Sequence, residues 1–148
     1  MASIDDVRRL VALDHGLAHL STLRADGSVH ATVVNAGVID HPVSGAPTVA
    51  FVCRPGTSKL ANLRARPAAT ASWRAGWAWA TVEGAVEIVG PDDALDGVSS
   101  EDIAGLLRRI YVAAGGEEHQ DWPDYDRVMA TERRVAVLVT PRRIYVNP

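Results

Sequence analysis

The segment FVCRPGTSKLANLRARP, residues 51–67, sets the plan of this chain. An apolar run over residues 48–53 stops at Arg54-Pro55-Gly56, and a helical pattern opens directly after it. The segment therefore reads as a strand end, a tight turn and a short helix. Thr57 or Ser58 can cap that helix, and Leu60 and Leu63 give it an apolar stripe. Pro67 ends it, because the residue before a proline avoids the helical region. The free N–H groups of the first turn, the hydroxyls of Thr57 and Ser58 and the ammonium of Lys59 then converge at one helix N-terminus, which makes an anion site. Lys59 is the only lysine among 15 basic residues. A plainer reading stands beside this one: an ordinary capped helix with one exposed lysine, at a position the helix dipole disfavours. No G-x-x-x-x-G-K-[ST] loop occurs, nor any G-x-G-x-x-G after a strand, so a phosphate held here is held by another architecture.

Working outward, Ser3 opens a short amphipathic helix with Val7, Leu10 and Val11 on one face. Residues 17–24 and 28–39 are strand-like runs joined by Ala25-Asp26-Gly27, a strong hairpin signal, and residues 48–53 form a third strand. Beyond the Lys59 helix, residues 68–74 read as a strand and Ala75-Gly76 as a turn. Residues 77–89 form a long strand with Trp77, Trp79, Thr81 and Glu83 on one side and Gly84 at a bulge or bend. Ser99 caps a helix whose apolar face carries Ile103, Leu106, Leu107, Ile110 and Tyr111 and which stops at Gly115-Gly116. A short helix starts at Asp124, and residues 134–139 and 143–146 make a last strand interrupted at Pro141. Six strands, mostly in consecutive hairpins with one helix inserted after the third, predict a mainly β (α+β) single domain over residues 1–148. Its architecture is a six-stranded antiparallel barrel with short flanking helices. A barrel this small is filled by its own side chains, so a cofactor would sit in an outside groove, of the kind a second subunit often completes.

With 47% hydrophobic residues and a net charge of −3, neither disorder nor a nucleic-acid surface is the default. The lone Cys53 lies in an apolar run and reads as a buried, inert thiol. No apolar stretch reaches about 18 residues and no basic-then-apolar start is present, so the chain is expected to be cytoplasmic and without a membrane partner. Among the histidines only His15 and His19 share a helical spacing, and Gly16 breaks it, which argues against a metal site. No G-x-S-x-G elbow supplies an acyl-transfer nucleophile, and Glu83 and Glu87 read as solvated charge. What remains is the anion site and the tryptophans Trp73, Trp77 and Trp79. Indole faces can stack on a planar ligand; they can equally form a core or dimer-interface cluster. The two features together suggest a phosphorylated heteroaromatic cofactor.

The order of these elements resembles the split-barrel flavin and deazaflavin oxidoreductases, the pyridoxamine 5′-phosphate oxidase-like superfamily. Ser58-Lys59-Leu60-Ala61-Asn62-Leu63-Arg64-Ala65-Arg66-Pro67, Gly76-Trp77-Ala78-Trp79 with Glu83-Gly84, and Asp121-Trp122-Pro123-Asp124-Tyr125 followed by Met129 and Thr131-Glu132-Arg133-Arg134-Val135 look like its coenzyme F420-binding actinobacterial and mycobacterial branch. The resemblance implies an FMN-binding type of split barrel that forms a homodimer with two sites across the interface. It implies that Lys59, Thr57 and Ser58 hold the cofactor phosphate, that Thr32, Val33 and Val34 lie against the ring system, and that Trp77 and Trp79 approach from the partner subunit. Arg54 and Asn62 are further carry-overs. The implied activity is hydride transfer from reduced coenzyme F420 to a small organic acceptor, with no single indispensable catalytic residue. Two alternatives remain open: an FMN-dependent oxidase or reductase of the pyridoxamine phosphate type, and an F420-binding carrier without turnover. The ending RRIYVNP lacks the basic R-L-x-P motif of the FMN enzymes. Val33 also stands where relatives often have a polar residue, and Gly56-Thr57 where some place a further basic one.

Overall fold

The computed structural model describes residues 1–147; Pro148 lies outside them. Six strands close into an antiparallel barrel: β1 (Leu17–Leu23), β2 (Val29–Asp40), β3 (Pro47–Cys53), β4 (Ala68–Ala75), β5 (Ala78–Val89) and β6 (Val135–Val146), in the spatial order β1-β2-β3-β6-β5-β4. Four α-helices flank it: α1 (Ile4–Leu13), α2 (Ser58–Ala65), α3 (Ile103–Gly115) and α4 (Trp122–Thr131), with a 3₁₀ turn at Ser100–Asp102 before α3. The expected mainly β barrel, with one helix between the third and fourth strands, is the observed one.

Local chemistry accounts for the turns. Asp26 accepts the Ser28 N–H at 2.9 Å, closing the β1–β2 hairpin in which Leu20 lies opposite Thr32. Between β5 and β6 the register slips, since Glu83 faces Arg143 while Gly84 faces Pro141. Arg142 is the extra residue. A Cβ on Gly84 would stand 1.9 Å from the Thr140 carbonyl oxygen, so this bulge requires glycine. The bulge also accommodates Pro141, and β6 therefore runs unbroken where an interruption was expected.

The barrel interior is packed solid with Leu20, Phe51, Trp73, Val82 and Val137, all at most 1% exposed, and α1 closes one end with Val7 and Leu10. Each such side chain contributes on the order of 1.5–3 kcal/mol of burial. Trp73 belongs to this interior, where its indole N–H donates to the Ala36 carbonyl at 3.1 Å, so it is separated from the other two tryptophans of its stretch. A second apolar layer lies outside the barrel, where Leu106, Leu107 and Ile110 of α3 and Tyr125 of α4 cover Ile39, Ala50 and Leu138. Gly37 permits this close contact; a Cβ there would meet the Ala113 carbonyl at 2.5 Å. Helix α4 begins at Trp122, not at Asp124: Asp121 caps it by accepting the Asp124 N–H at 3.1 Å, and Pro123 sits in its first turn, where the missing N–H costs nothing. Among the described residues no helix is long and apolar enough to cross a membrane.

Candidate functional site

Helix α2 follows its sequence closely. Thr57 is the cap, accepting the Leu60 N–H at 3.4 Å, and Leu60 and Leu63 are buried. The Thr57 hydroxyl also donates to the Arg54 carbonyl at 3.1 Å, so its hydrogen-bonding capacity goes to holding the helix start. Ser58 is the first helical residue and is exposed, as is Arg54. Arg64, one turn on, forks onto Asp93 at 3.1 and 2.6 Å, while Arg133 after α4 forks onto Asp92 at 3.3 and 2.6 Å. One short acidic turn thus ties α2 to the far end of α4.

Lys59 opens into a groove of about 520 Å³ on the outside of the barrel. Val33, Val34 and Asn35 of β2 and Val52 of β3 form one wall. Ile110, Tyr111 and Ala114 of α3, with Tyr125 and Met129 of α4, form the other, and His15 also lines the groove. No carboxylate lines this groove, and Lys59 makes no ion pair among the described residues. The barrel is split here: β3 pairs with β2 only from Ala36 to Asp40, and residues 29–35 are paired only with β1. A free strand edge therefore borders the groove. Thr32 points to the other side of the strand from Val33, and its hydroxyl is buried without a hydrogen-bond partner among the described residues.

Of the residues singled out from sequence, Lys59, Val33 and Val34 meet in the groove, and Thr57 and Ser58 stand at the adjoining helix end. Asn62 does not join them. Its amide donates to Thr22 on β1 at 3.1 Å and accepts from Arg66 at 3.4 Å, so it fastens α2 to the barrel. Arg54 and Thr32 are outside the lining as well. Trp77 is 90% exposed in the turn before β5, and Trp79 packs edge-on to Tyr145 at 6.2 Å; neither reaches the groove of its own chain. Glu87 is not free solvated charge, since it pairs with His41. Among the described residues no group of His, Cys, Asp or Glu could hold a metal ion.

Sequence reading missed the α3–α4 wall. Tyr111, His119, Trp122 and Tyr125 form one aromatic cluster with centroids 5.1–5.7 Å apart. The Tyr125 hydroxyl donates to the Leu107 carbonyl at 3.0 Å, and burial pushes its pKa up to about 12, so it stays protonated. Arg108 lies 5.0 Å over the Trp122 ring and forks onto Asp126, which holds that carboxyl below its ordinary value. The aromatic spacing across residues 111–125 was the available signal.

A larger depression of about 1080 Å³ lies on the other flank of α3, lined by Arg108, Arg109, Asp40, Glu101, Glu118 and Trp122 among others. Several of its polar groups are already engaged: Arg109 donates to the Asp40 carbonyl at 2.7 Å and Trp122 to Glu118 at 3.0 Å. It contains none of the cofactor-binding candidates read from the sequence. The groove at Lys59, with an unpaired cation and apolar walls, is the better ligand site.

Fold and groove together define a split barrel that offers an exterior groove with a cation at one end, in place of an internal chamber. The chain belongs to the pyridoxamine 5′-phosphate oxidase family, whose model, described as "Pyridoxamine 5′-phosphate oxidase", matches residues 4–146. A conserved hypothetical protein from Mycobacterium tuberculosis is similar at 20% identity and TM-score 0.68, over 99% of this chain and 84% of that one. A protein described as an F420 reductase matches at 19% identity and TM-score 0.60, over 91% and 93%. A pyridoxamine 5′-phosphate oxidase-related, FMN binding protein from Nostoc punctiforme matches at 13% identity and TM-score 0.67, over 97% and 80%. At these identities the likenesses speak to the shared fold.

Proposed function

We propose that this protein is a coenzyme F420-dependent reductase that works as a homodimer. The observation that carries the reading is that Lys59, at the N-terminus of α2, lines the same groove as Val33 beside the free edge of β2. A phosphate would rest against the Lys59 ammonium, the Ser58 hydroxyl and the first-turn N–H groups, where the helix field favours an anion. Arg54, exposed beside them, adds positive charge. The apolar walls exclude water from a flat ring, and the unpaired edge of residues 29–35 offers backbone donors and acceptors to its polar rim. When bound, a reduced deazaflavin supplies a hydride to an acceptor, with the completing proton drawn from solvent.

A second copy of the chain suits the exposed apolar side chains around the split, with Val29 at 57%, Val33 at 58%, Leu17 at 42% and Trp77 at 90%. In such a dimer Trp77 and Trp79 would close the partner's groove. Titrating the purified protein with coenzyme F420 and, separately, with FMN, following ligand fluorescence, tests the reading. Saturable binding of F420 in preference to FMN supports it. Preference for FMN moves the protein to a flavin-dependent oxidase or reductase, for which the FMN binding neighbour is the precedent. F420 binding without turnover of any acceptor makes it a carrier.

A further inference from the structure

We propose that Arg64, Asp92, Asp93 and Arg133 form a clasp that sets the spacing of the two walls of the Lys59 groove, with Arg133 as the positioning residue for α4. The inference rests on the reading of that groove as the cofactor site, and it assigns the width of the site to residues outside its lining. It starts from the backbone. The chain leaves both α3 and α4 through a residue in the left-handed region, where glycine is at home. After α3 this residue is Gly116, with φ 76°. After α4 it is Arg133, with φ 52°, whose N–H returns to the Ala130 carbonyl at 3.1 Å. A side chain in this slot carries a conformational cost that glycine avoids, and it persists where the surroundings hold it in place.

What holds Arg133 is its guanidinium, forked onto Asp92 at 3.3 and 2.6 Å. The next residue, Asp93, takes the fork of Arg64 from α2 at 3.1 and 2.6 Å. Both carboxylates stand on a stiff turn. Gly90 and Asp93 exchange backbone hydrogen bonds at 2.9 and 3.2 Å with Pro91 between them, and Gly90 rests on Val135, whose Cγ1 an added Cβ would meet at 2.5 Å. A guanidinium–carboxylate fork fixes direction as well as distance. Hydrogen bonding from Arg133 holds the Asp92 carboxyl below its ordinary value and the Arg64 charge lowers it further, so the groups act as one network. The forks are exposed enough to add little to stability, which leaves their effect to geometry. That geometry concerns the groove: Lys59 and Arg64 stand at opposite ends of the short α2, and Met129 lies one turn before Arg133. The other polar ties run elsewhere, with Asn62 and Arg66 fastening α2 to β1, and Arg108 and Tyr125 fastening α4 to α3. The acidic turn is therefore the polar link between the Lys59 helix and the far wall. Opening the forks leaves each helix seated on the barrel but frees their spacing, which a ligand must then fix at the expense of affinity.

The test uses Arg133→Gly, which removes the guanidinium and gives the left-handed slot the residue it favours, and Asp92→Asn, which keeps the backbone and weakens the same fork. Nitroxides at the exposed positions Ala61→Cys of α2 and Arg127→Cys of α4 report the spacing by double electron–electron resonance, with Cys53 buried and the labelled chain diluted in unlabelled protein. Fluorescence titration with coenzyme F420 reports the site. Each variant is expected to broaden the distance distribution and to weaken F420 by about three- to tenfold, with no further loss when the two are combined. The unfolding midpoint of Arg133→Gly is expected to hold or rise. An unchanged distance distribution overturns the clasp. So does a broadened one in variants that bind F420 as tightly as the wild type, and so does a loss of affinity that follows a fall in the unfolding midpoint of both variants. If the distribution broadens and the wild type binds no F420, the clasp stands and the cofactor reading falls.

Discussion

The His41 imidazole sits 2.7 Å from the Glu87 carboxylate, joining the β2–β3 turn to β5 across the barrel wall. The other ring nitrogen, Nδ1, accepts the N–H groups of Val43 and Ser44 at 3.1 and 3.2 Å. Because Nδ1 acts only as an acceptor, the ring proton is on Nε2, donated to Glu87. The imidazole is 9% exposed while its partners stay within reach of water, with Glu87 at 42% and Val43 and Ser44 in an exposed turn, so removing it costs the packing of the ring and the net worth of three hydrogen bonds. His41→Phe is expected to destabilise the protein by about 1–3 kcal/mol in denaturant unfolding, with Glu87→Gln costing less.

Thr57 and Lys59, two residues apart, separate folding from binding. Thr57→Ala removes a helix cap and is expected to lower stability by about 1 kcal/mol. Lys59→Ala should leave the unfolding midpoint unchanged and weaken a phosphate-bearing cofactor by about tenfold or more, read by fluorescence titration. Equal losses of stability in the two variants would contradict this division.

Gly84→Ala puts a methyl group on the Thr140 carbonyl, 1.9 Å away, at the point where β5 and β6 slip register. The variant is expected to lose about 1–3 kcal/mol or to fail to fold, because the clash is with backbone that cannot move aside. Gly105→Ala, in α3 with open space around it, serves as the control and should be neutral or slightly stabilising.

Acid should unfold the protein partly through its aspartate–arginine forks. Arg108 holds Asp126, and Arg133 holds Asp92, below the ordinary carboxyl value of 3.8, in each case chiefly by side-chain hydrogen bonding. A folded-state value below the unfolded one means that the contribution is present above the unfolded pKa and is lost as pH falls through the folded one. Both pairs are at least one-third exposed on one partner, so the effect is modest and salt-screened. Melting temperature followed down through the acid range should fall less steeply in Asp126→Asn than in the wild type.

In a homodimer the sedimenting mass is twice 15.8 kDa. Val29→Glu, on the exposed side of β2, is expected to shift it to the single-chain value and to weaken cofactor binding at the same time. A monomeric wild type would remove the partner's tryptophans from the site.

The barrel was legible because its signals are local. Asp26-Gly27 specifies a hairpin and Gly84 a bulge wherever the strands lie, and Thr57 through Pro67 contains its own start and stop. The groove was only half legible. Lys59 comes from a segment with strong local grammar and Val33 from the family resemblance, but the opposite wall depends on how α3 lies across β2 and β3. That placement is fixed by Gly37 meeting Ala113, a contact between residues far apart in the chain. Apolar periodicity put Tyr111 on the buried face with Ile110 because a groove-facing aromatic and a core-facing one have the same pattern. The tryptophans were ambiguous for a related reason: Trp73 and Trp77 flank a turn, and strand parity does not carry across it.

Residues 29–35 of β2 pair with β1 on one side and leave the other edge open. A strand edge with open N–H and C=O groups is a template for any extended chain, and this one carries the exposed valines Val29 and Val33 and no lysine or proline to discourage pairing. Whatever occupies the groove and the face beside it also serves as a guard against edge-to-edge association. Solubility on storage should therefore track occupancy of the site, with empty protein the first to aggregate.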